Sequence, residues 1–483
     1  MNHGNSTLNP DKFTKLPSIN LALGKGRDDI ARVLLQVLQR IIPSEEETRR
    51  VESFADKVVL TLKKALDDLN IDCIVEIEGS VAKKTWISRA VDFDIFILLP
   101  PPETKDYKPM LKNLLHQLMK KIPWKSQIRY AEHPYLHIWI NNFEVDIVPA
   151  FRSPPDNIIS AVDRTPHHTR YVCSRLSEEL RNEVRLLKSF LKGINAYGAE
   201  IKTGGFSGYS CELLIIHYGS FLRTIEEFSK RRRIFVDLTD SWKPREAFKK
   251  FSHFFILIDP VDRNRNVTSA LREDTFSYTQ LLSKLFLLKP SVKFFFPQAP
   301  QREIPEILDI LSKRKIHLVV LRKRKDVPPD VYWGQAMKIL RRIERVVRNT
   351  DYKLIHIDAI EGKNSMILLI ETVFDTTPTP RKLIGPPTYA NIDDIISFIN
   401  KHKKESIAGP WIENWRIVFL IKTAKSLEEF LRNYVATIRL DPSFDKFEVI
   451  RDLTEIKRVL DEEGALLEFY EKIMRRKIID FID

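Results

Sequence analysis

The stretch Gly79-Ser80-Val81-Ala82-Lys83-Lys84-Thr85-Trp86, followed by Val91-Asp92-Phe93-Asp94-Ile95-Phe96-Ile97-Leu98-Leu99-Pro100, restricts this chain more than any other. Its apolar run reads as a strand, and alternate side chains of a strand share a face. Asp92 and Asp94 therefore point the same way, with Cα atoms roughly 6.6 Å apart. Phe93, Ile95, Ile97 and Leu99 make the opposite face, which is wholly apolar and must pack inward. Two carboxylates at that separation can hold a pair of divalent ions about 3.5–4 Å apart. An Asp-x-Asp alone is a weak signal, because most such pairs are solvated strand ends. Two features strengthen it. Asp146 lies in Phe143-Glu144-Val145-Asp146-Ile147-Val148-Pro149, apolar enough for a central strand, where a lone carboxylate is costly unless ligated or paired. Gly79-Ser80 sits between a strand and a helix start, where backbone N–H groups and a hydroxyl can receive phosphate oxygens. Three clustered carboxylates repel one another and take up protons unless a cation intervenes. Magnesium (Mg2+) is the hard, oxygen-seeking choice that can also bridge phosphates.

At 483 residues the chain is too long for one ordinary core, so two to four domains are expected. Its 43% hydrophobic content excludes a mostly disordered polypeptide. A formal charge of +13 suits a polyanionic partner. Cys73, Cys173 and Cys211 are isolated, with neither C-x-x-C nor Cys/His ligand spacing, which argues for a reducing compartment, the cytoplasm. The apolar runs stop short of membrane-spanning length, so no membrane association is expected.

Periodicity predicts helices over 28–42 and 44–69, the second capped by Ser44 with Glu47 at N3. Strands at 73–77, 92–99 and 127–131, and a hairpin of 135–140 with 143–150 turned at Asn141-Asn142, make a mixed sheet. Helical spacing returns over 177–230, with 211–228 reading as one buried helix. A strand at 251–260 and a helix at 275–288 follow, then prolines 290, 297, 300 and 305. Beyond these, strand 316–322, helix 332–348, strands 353–359 and 366–374, helix 392–401 and strand 415–421 give the β-α-β-β-α-β order of a ferredoxin-like domain. Helices from 426–438 and from 447 onward close the chain.

The Gly-Ser, Asp-x-Asp and later Asp resemble the DNA polymerase β nucleotidyltransferase superfamily. The closer resemblance is to class I, archaeal-type CCA-adding enzymes (tRNA nucleotidyltransferases). It runs through Arg129-Tyr130-Ala131-Glu132-His133-Pro134-Tyr135, Val145-Asp146-Ile147-Val148-Pro149, Ala161-Val162-Asp163-Arg164-Thr165-Pro166 and Asn182-Glu183-Val184-Arg185-Leu186-Leu187-Lys188. It continues through Tyr197-Gly198-Ala199-Glu200, Gly205-Phe206-Ser207-Gly208-Tyr209, and Asp259-Pro260-Val261-Asp262 to Arg265-Asn266-Val267. Residues 1–25, rich in Asn, Gly, Ser and Pro, read as a flexible tail. The resemblance implies an α+β multidomain chain, with a polymerase-β-like nucleotidyltransferase head with a mixed sheet over 26–155 and a helical central domain completing the nucleotide site over 156–300. A ferredoxin-like, basic RNA-binding domain over 301–425 and a helical tail over 426–483 would follow. Asp92, Asp94 and Asp146 would be the catalytic, metal-holding carboxylates. Ser80 and Lys83 would hold the triphosphate, with His168, Lys188 and Tyr197 gripping it from the central domain. Thr165 and Arg265 would lie beside the base. The implied activity is untemplated addition of C, C and A to tRNA from CTP and ATP, by two-metal in-line transfer releasing diphosphate. Two departures stand out. Arg89-Ala90 occupies the place of a Gly-Asp, and Asp92 the place of a common Glu; neither removes a ligand.

Plainer readings stand beside these. Lys83 and Lys188 can be surface lysines, Tyr197 packing, and Arg263 a rival of Arg265; His167 and His168 are not distinguished by sequence. Residues 301–350 hold 13 Lys and Arg against 6 Asp and Glu. Charge runs are usually solvated faces, but several in one small β/α unit favour RNA-backbone contact, with Arg322, Lys323, Arg324 and Lys325 the chosen run. The alternatives are a poly(A) polymerase-like RNA 3′-terminal transferase and a catalytically inactive RNA-binding protein of the same fold. Nothing in the sequence speaks against a homodimer.

Overall fold

The computed structural model describes residues 15–24, 27–130, 133–297, 311–324, 327–377, 380–422, 425–439, 441–474 and 481. It forms two compact units, Met1–Ala299 with Ile478–Asp483, and Pro300–Lys477. Lys325 and most of the predicted tail lie outside the described residues.

The first unit opens with α1 (Pro17–Leu23), α2 (Asp28–Ile41) and α3 (Glu45–Asp67). It continues through β1 (Ile74–Glu78), the single turn α4 (Gly79–Ala82), β2 (Phe93–Leu99), α5 (Lys108–Lys121), β3 (Lys125–Tyr130), β4 (Pro134–Ile140) and β5 (Phe143–Phe151). The sheet runs β1-β2-β5-β4-β3, with β2 and β5 parallel and every other neighbouring pair antiparallel. Phe93, Ile95, Ile97 and Leu99 do pack inward, with Val145, Ile147 and the apolar stripes of α3 and α5.

Ser44 caps α3, its Oγ accepting from Glu47 N–H at 3.0 Å. The Glu47 carboxylate does not close a reciprocal box; it accepts from Ser88 Oγ at 2.7 Å and Arg89 N–H at 2.8 Å. It thereby holds the loop of Arg89, which takes the left-handed conformation (φ +64°) that a glycine would adopt at low cost.

A helical layer follows: α6 (Arg164–Cys173), α7 (Glu178–Gly193), α8 (Gly208–Tyr218), α9 (Phe221–Lys230), α10 (Pro244–Phe251) and α11 (Glu273–Leu288), with the short parallel pair β6 (Ile234–Val236) and β7 (Phe255–Leu257). Two assignments change here. The predicted helix 211–228 is broken, because Gly219 adopts φ +76° as the C-cap of α8 and Ser220 caps α9. The strand expected over 251–260 shrinks to β7, since 244–251 is helical.

The predicted tail and the first predicted helix also sit differently. Ser18, Ile19 and Ala22 of α1 are buried, and α2 places Leu34, Val37, Leu38 and Ile41 in the core of α7, α8, α9 and α11 rather than in the sheet's core. Their apolar stripes share one core with Val184, Leu187, Phe190 and Leu191 of α7, and Glu183 of the same helix accepts from Ser18 N–H at 2.8 Å and from Phe221 N–H at 2.8 Å.

The second unit has the ferredoxin-like strand order, through different members than predicted. β8 (Lys315–Lys323), the helix Pro329–Arg348, β9 (Leu354–Glu361) and β10 (Ser365–Thr372) are followed by β11 (Arg381–Pro387), the helix Ile392–His402, β12 (Ser406–Glu413) and β13 (Arg416–Ile421). After the helix Leu427–Thr437 comes β14 (Phe444–Ile450). The four-stranded sheet is β14-β8-β10-β9, whereas β11, β13 and β12 form a separate small sheet. The second helix and fourth strand of the motif are thus 427–437 and 444–450, and 381–421 is an insertion between β10 and that helix. Residues 447–450, expected to be helical, belong to the edge strand. β13 is the more apolar of the two, Arg416 being its one charged residue, whereas β14 carries Asp445, Lys446 and Glu448; apolarity therefore pointed to β13, and the pairing with β8 decides for β14.

Candidate active site

The β2–β5 ladder places Asp94 directly opposite Asp146. Paired residues of neighbouring strands share a face about 4.8 Å apart, so the third acid stands beside the second rather than behind the sheet. Asp92, just before β2, is exposed on the same side. Its charge acts on Tyr197 and Lys192 of the facing helical layer, and the charges of Asp146 and Asp92 both act on Asp94. Burial first, then those two charges, push the Asp94 carboxyl up to about 6. Relief of that crowding by a hard cation is what this donor set suits. Among the described residues no three such side chains close into a ready-made cage. Oxygens of a bound triphosphate would complete the coordination, as is usual for an ion that keeps few protein ligands.

Gly79 makes the site's floor possible. It has φ +65°, and a Cβ there would lie 2.1 Å from Asp94 Oδ2. Ser80 follows it, half-buried in the first turn of α4. On Asp146, Oδ1 lies 2.6 Å from His137 Nδ1, so a β4 histidine orients the third carboxylate. Glu78 flanks Asp94 on the β1 side; burial, chiefly, pushes it up to about 7.

Lys83 and Lys188, expected to meet a triphosphate, converge on a residue the sequence reading passed over. Lys83 Nζ lies 2.9 Å from Glu212 Oε2, and Lys188 Nζ 3.0 Å from Glu212 Oε1. Thr85 Oγ1 donates to Glu212 at 2.8 Å and accepts from Lys188 at 2.9 Å. Burial alone would push Glu212 up, but the charges of Lys188 and Lys83 outweigh it and hold the carboxyl at about 2. Tyr197 Oη and Lys188 Nζ both border Gly208, where a Cβ would lie 2.9 and 3.6 Å from them. Arg185, one turn before Lys188, donates to the carbonyls of Trp86 (2.9 Å) and Lys84 (2.6 Å), clamping the loop after Lys83 onto α7.

A second buried carboxylate, Asp259, organises the remaining residues. Its Oδ2 lies 2.8 Å from His168 Nε2 and accepts from Arg265 Nη1 at 2.8 Å. His168 is buried and stacks on Tyr209 with centroids 4.0 Å apart, and Lys83 Nζ lies 5.3 Å from the centroid of the Tyr209 ring. Burial lowers the His168 pKa against the pull of Asp259, favouring neutral imidazole. His167 turns away, its Nε2 2.8 Å from Ser153 O, which separates the two adjacent histidines. Thr165 is half-buried in the first turn of α6, beside Arg164, which pairs with Asp262 at 3.0 Å. A cavity of about 440 Å3 opens there, lined by Arg164, Asp262, Arg265 and Asn266 among others. His133 caps the hairpin, with Nε2 2.6 Å from Pro149 O.

In the second unit Arg322 pairs with Glu463, and Lys323 Nζ lies 3.4 Å from Glu361 and donates to Gly362 O at 2.8 Å. Of the described residues in that run, only Arg324 is exposed, paired with Asp445. It borders a cavity of about 600 Å3 with Lys338, Arg342 and Arg439.

Opposed carboxylates on a parallel strand pair, a glycine-floored turn and buried lysines define a nucleotidyltransferase. Residues 59–168 match the family model described as a nucleotidyltransferase domain, 182–296 that of the second domain of tRNA nucleotidyltransferase, and 314–441 that of the C-terminal domain of CCA-adding enzyme. The CCA-adding enzyme of Saccharolobus islandicus (strain M.14.25 / Kamchatka #1) is 38% identical over 372 residues, 76% of this chain and 84% of that protein. That of Methanosarcina mazei is 34% identical over 448 residues, 89% of this chain and 95% of that protein. The chain belongs to the CCA-adding enzymes and is a template-independent RNA nucleotidyltransferase. Its family's chemistry is divalent-metal dependent. Among the described residues no helix is long and apolar enough to cross a membrane.

Proposed function

We propose that the sheet face carrying Asp92, Asp94 and Asp146 adds C, C and A to the 3′ end of tRNA from CTP and ATP, with magnesium as the ion. The observation that carries the reading is the Asp94–Asp146 register, with Lys83 close enough for its charge to act on Asp94. Asp92, Asp94 and Asp146 would hold the ion, and Asp146, oriented by His137, would position the RNA 3′-hydroxyl and draw off its proton. When bound, magnesium supplies charge neutralisation at the phosphates and at the attacking oxygen. Ser80 and Lys83 face the triphosphate from the sheet side; His168, Lys188 and Tyr197 do so from the helical side. Thr165 and Arg265 border the base. Fixed donors around the phosphates do the work that positioning and charge stabilisation do in phosphoryl transfer. In the second unit the RNA backbone meets the cavity of Arg324, Lys338, Arg342 and Arg439, since Arg322 and Lys323 are partly buried against carboxylates of their own unit whereas Arg324, although paired with Asp445, is exposed. The unpaired Cys73, Cys173 and Cys211 suit a reducing compartment, the cytoplasm.

The test is product length. With a tRNA transcript lacking CCA, CTP and ATP, synthesis should stop after three additions. A growing A-tail with ATP alone would replace this reading with the poly(A)-type one, and no incorporation at all would leave an RNA-binding protein.

A further inference from the structure

We infer that Asp259 is a positioning residue that ties recognition of the base to the grip on the triphosphate. The inference rests on the reading above, in which Arg265 borders the base and His168 the phosphates. One oxygen, Asp259 Oδ2, serves both: Arg265 Nη1 donates to it at 2.8 Å and His168 Nε2 lies at 2.8 Å. The other, Oδ1, accepts from Tyr209 Oη at 3.1 Å and Val261 N–H at 3.0 Å. Tyr209 in turn stacks on His168 and has Lys83 near its ring. The carboxylate is fully buried, whereas the Arg265 side chain is 39% exposed, so the anchor is fixed while the guanidinium still reaches into the neighbouring cavity. Four of a guanidinium's five N–H donors remain to meet a base edge once one is tied down.

The backbone closes the same loop. Asp259 N–H donates to Arg265 O at 3.1 Å and Arg265 N–H to Asp262 O at 2.9 Å, while Asp262 holds Arg164 next to Thr165. Both base-bordering residues are thus referred to a single loop, 259–265, whose central carboxylate also orients the phosphate-side imidazole. An amide in that place has one accepting oxygen and one donating nitrogen, so it cannot satisfy four donors. Loss of the carboxylate would release Arg265 and His168 together.

Asp259→Asn, Arg265→Ala, the double variant and Tyr209→Phe would be assayed in the full chain, on tRNA transcripts lacking CCA or ending in CC. The readouts are kcat and KM for CTP, ATP, UTP and GTP. Asp259→Asn and Arg265→Ala should each cut discrimination against UTP and GTP about tenfold or more. Asp259→Asn should also raise KM for every nucleotide, and the double variant should discriminate no worse than Arg265→Ala. If Asp259→Asn slows all four nucleotides equally with the ratio intact, the coupling is wrong. If Arg265→Ala leaves the ratio intact, the base contact itself is wrong, and the coupling falls with it. Tyr209→Phe removes one donor to Asp259 without disturbing the stack, and should lower the ratio severalfold. Should Asp259→Asn fail to fold, an intact ratio in Tyr209→Phe overturns the proposal.

Discussion

Glu212 shows how a single buried side chain can draw distant residues together. It is 1% exposed and joins Lys83, from beside the sheet, to Lys188 on α7. Glu212→Gln would leave two buried ammonium groups without their countercharge, which should cost about 3 kcal/mol in unfolding experiments and raise the nucleotide KM. The sign with pH follows from the depressed pKa. A carboxyl held at about 2 instead of 4.5 stabilises the fold above pH 4.5 and loses that contribution as pH falls toward 2. The wild type should lose ~3 kcal/mol across that window, and the Gln variant should show a flatter acid limb. Part of this was legible beforehand. Lys83 and Lys188 stood out by type and place, but Glu212 hid in a segment read as buried helix. The signal was available, because a carboxylate between Cys211 and Leu213 poses the same solvation problem that singled out Asp146. Asp259 was seen only as part of a motif, since two of its four partners, Tyr209 and His168, arrive from 50 and 91 residues away.

At the scale of elements, the turn β1–α4 shows why a glycine stands where it does. Gly79→Ala would force a Cβ to 2.1 Å from Asp94 Oδ2 and hold a side chain at φ +65°. The backbone strain alone should cost about 1–2 kcal/mol, while displacement of Asp94 should lower kcat at least 100-fold. Circular-dichroism melting beside single-turnover incorporation would separate the two losses; near-normal turnover would mean that Asp94 need not sit against this turn. Strand and helix positions in the head were readable because alternation and helical spacing are local. The break between α8 and α9 was readable in principle too, since Gly219-Ser220 pairs a C-cap with an N-cap, yet unbroken hydrophobicity on both sides masked it.

At the scale of the whole molecule, the second unit carries two features of its own to test. In the second unit, His317 is fully buried on β8 with no hydrogen-bond partner for either ring nitrogen among the described residues. Burial, aided by Arg451, lowers its pKa to about 4. The folded state therefore binds the proton less readily than the unfolded chain, and stability should fall from pH 6.5 toward 4 by as much as ~3 kcal/mol. Thermal melts of His317→Leu should be less sensitive to pH over that range; parallel pH profiles for both proteins would remove His317 as the cause. The basic cavity of the same unit gives a second test. Arg342→Ala with Arg439→Ala should weaken tRNA binding and reduce the slope of log K against log salt by about 1–2, whereas an unchanged slope would move the RNA elsewhere. The sequence by itself determined the carboxylate-bearing strands, the glycine turn, the family and the basic character of the second unit, because each is written in neighbouring residues. Only the tertiary structure decided that α2 joins the helical core, that β14 rather than β13 completes the ferredoxin-like sheet, that Arg322 and Lys323 face carboxylates, that Glu212 gathers Lys83 and Lys188, and that Asp259 gathers His168, Tyr209 and Arg265. Those are choices of partner that local propensity does not make, and they are settled by which distant surfaces bury one another.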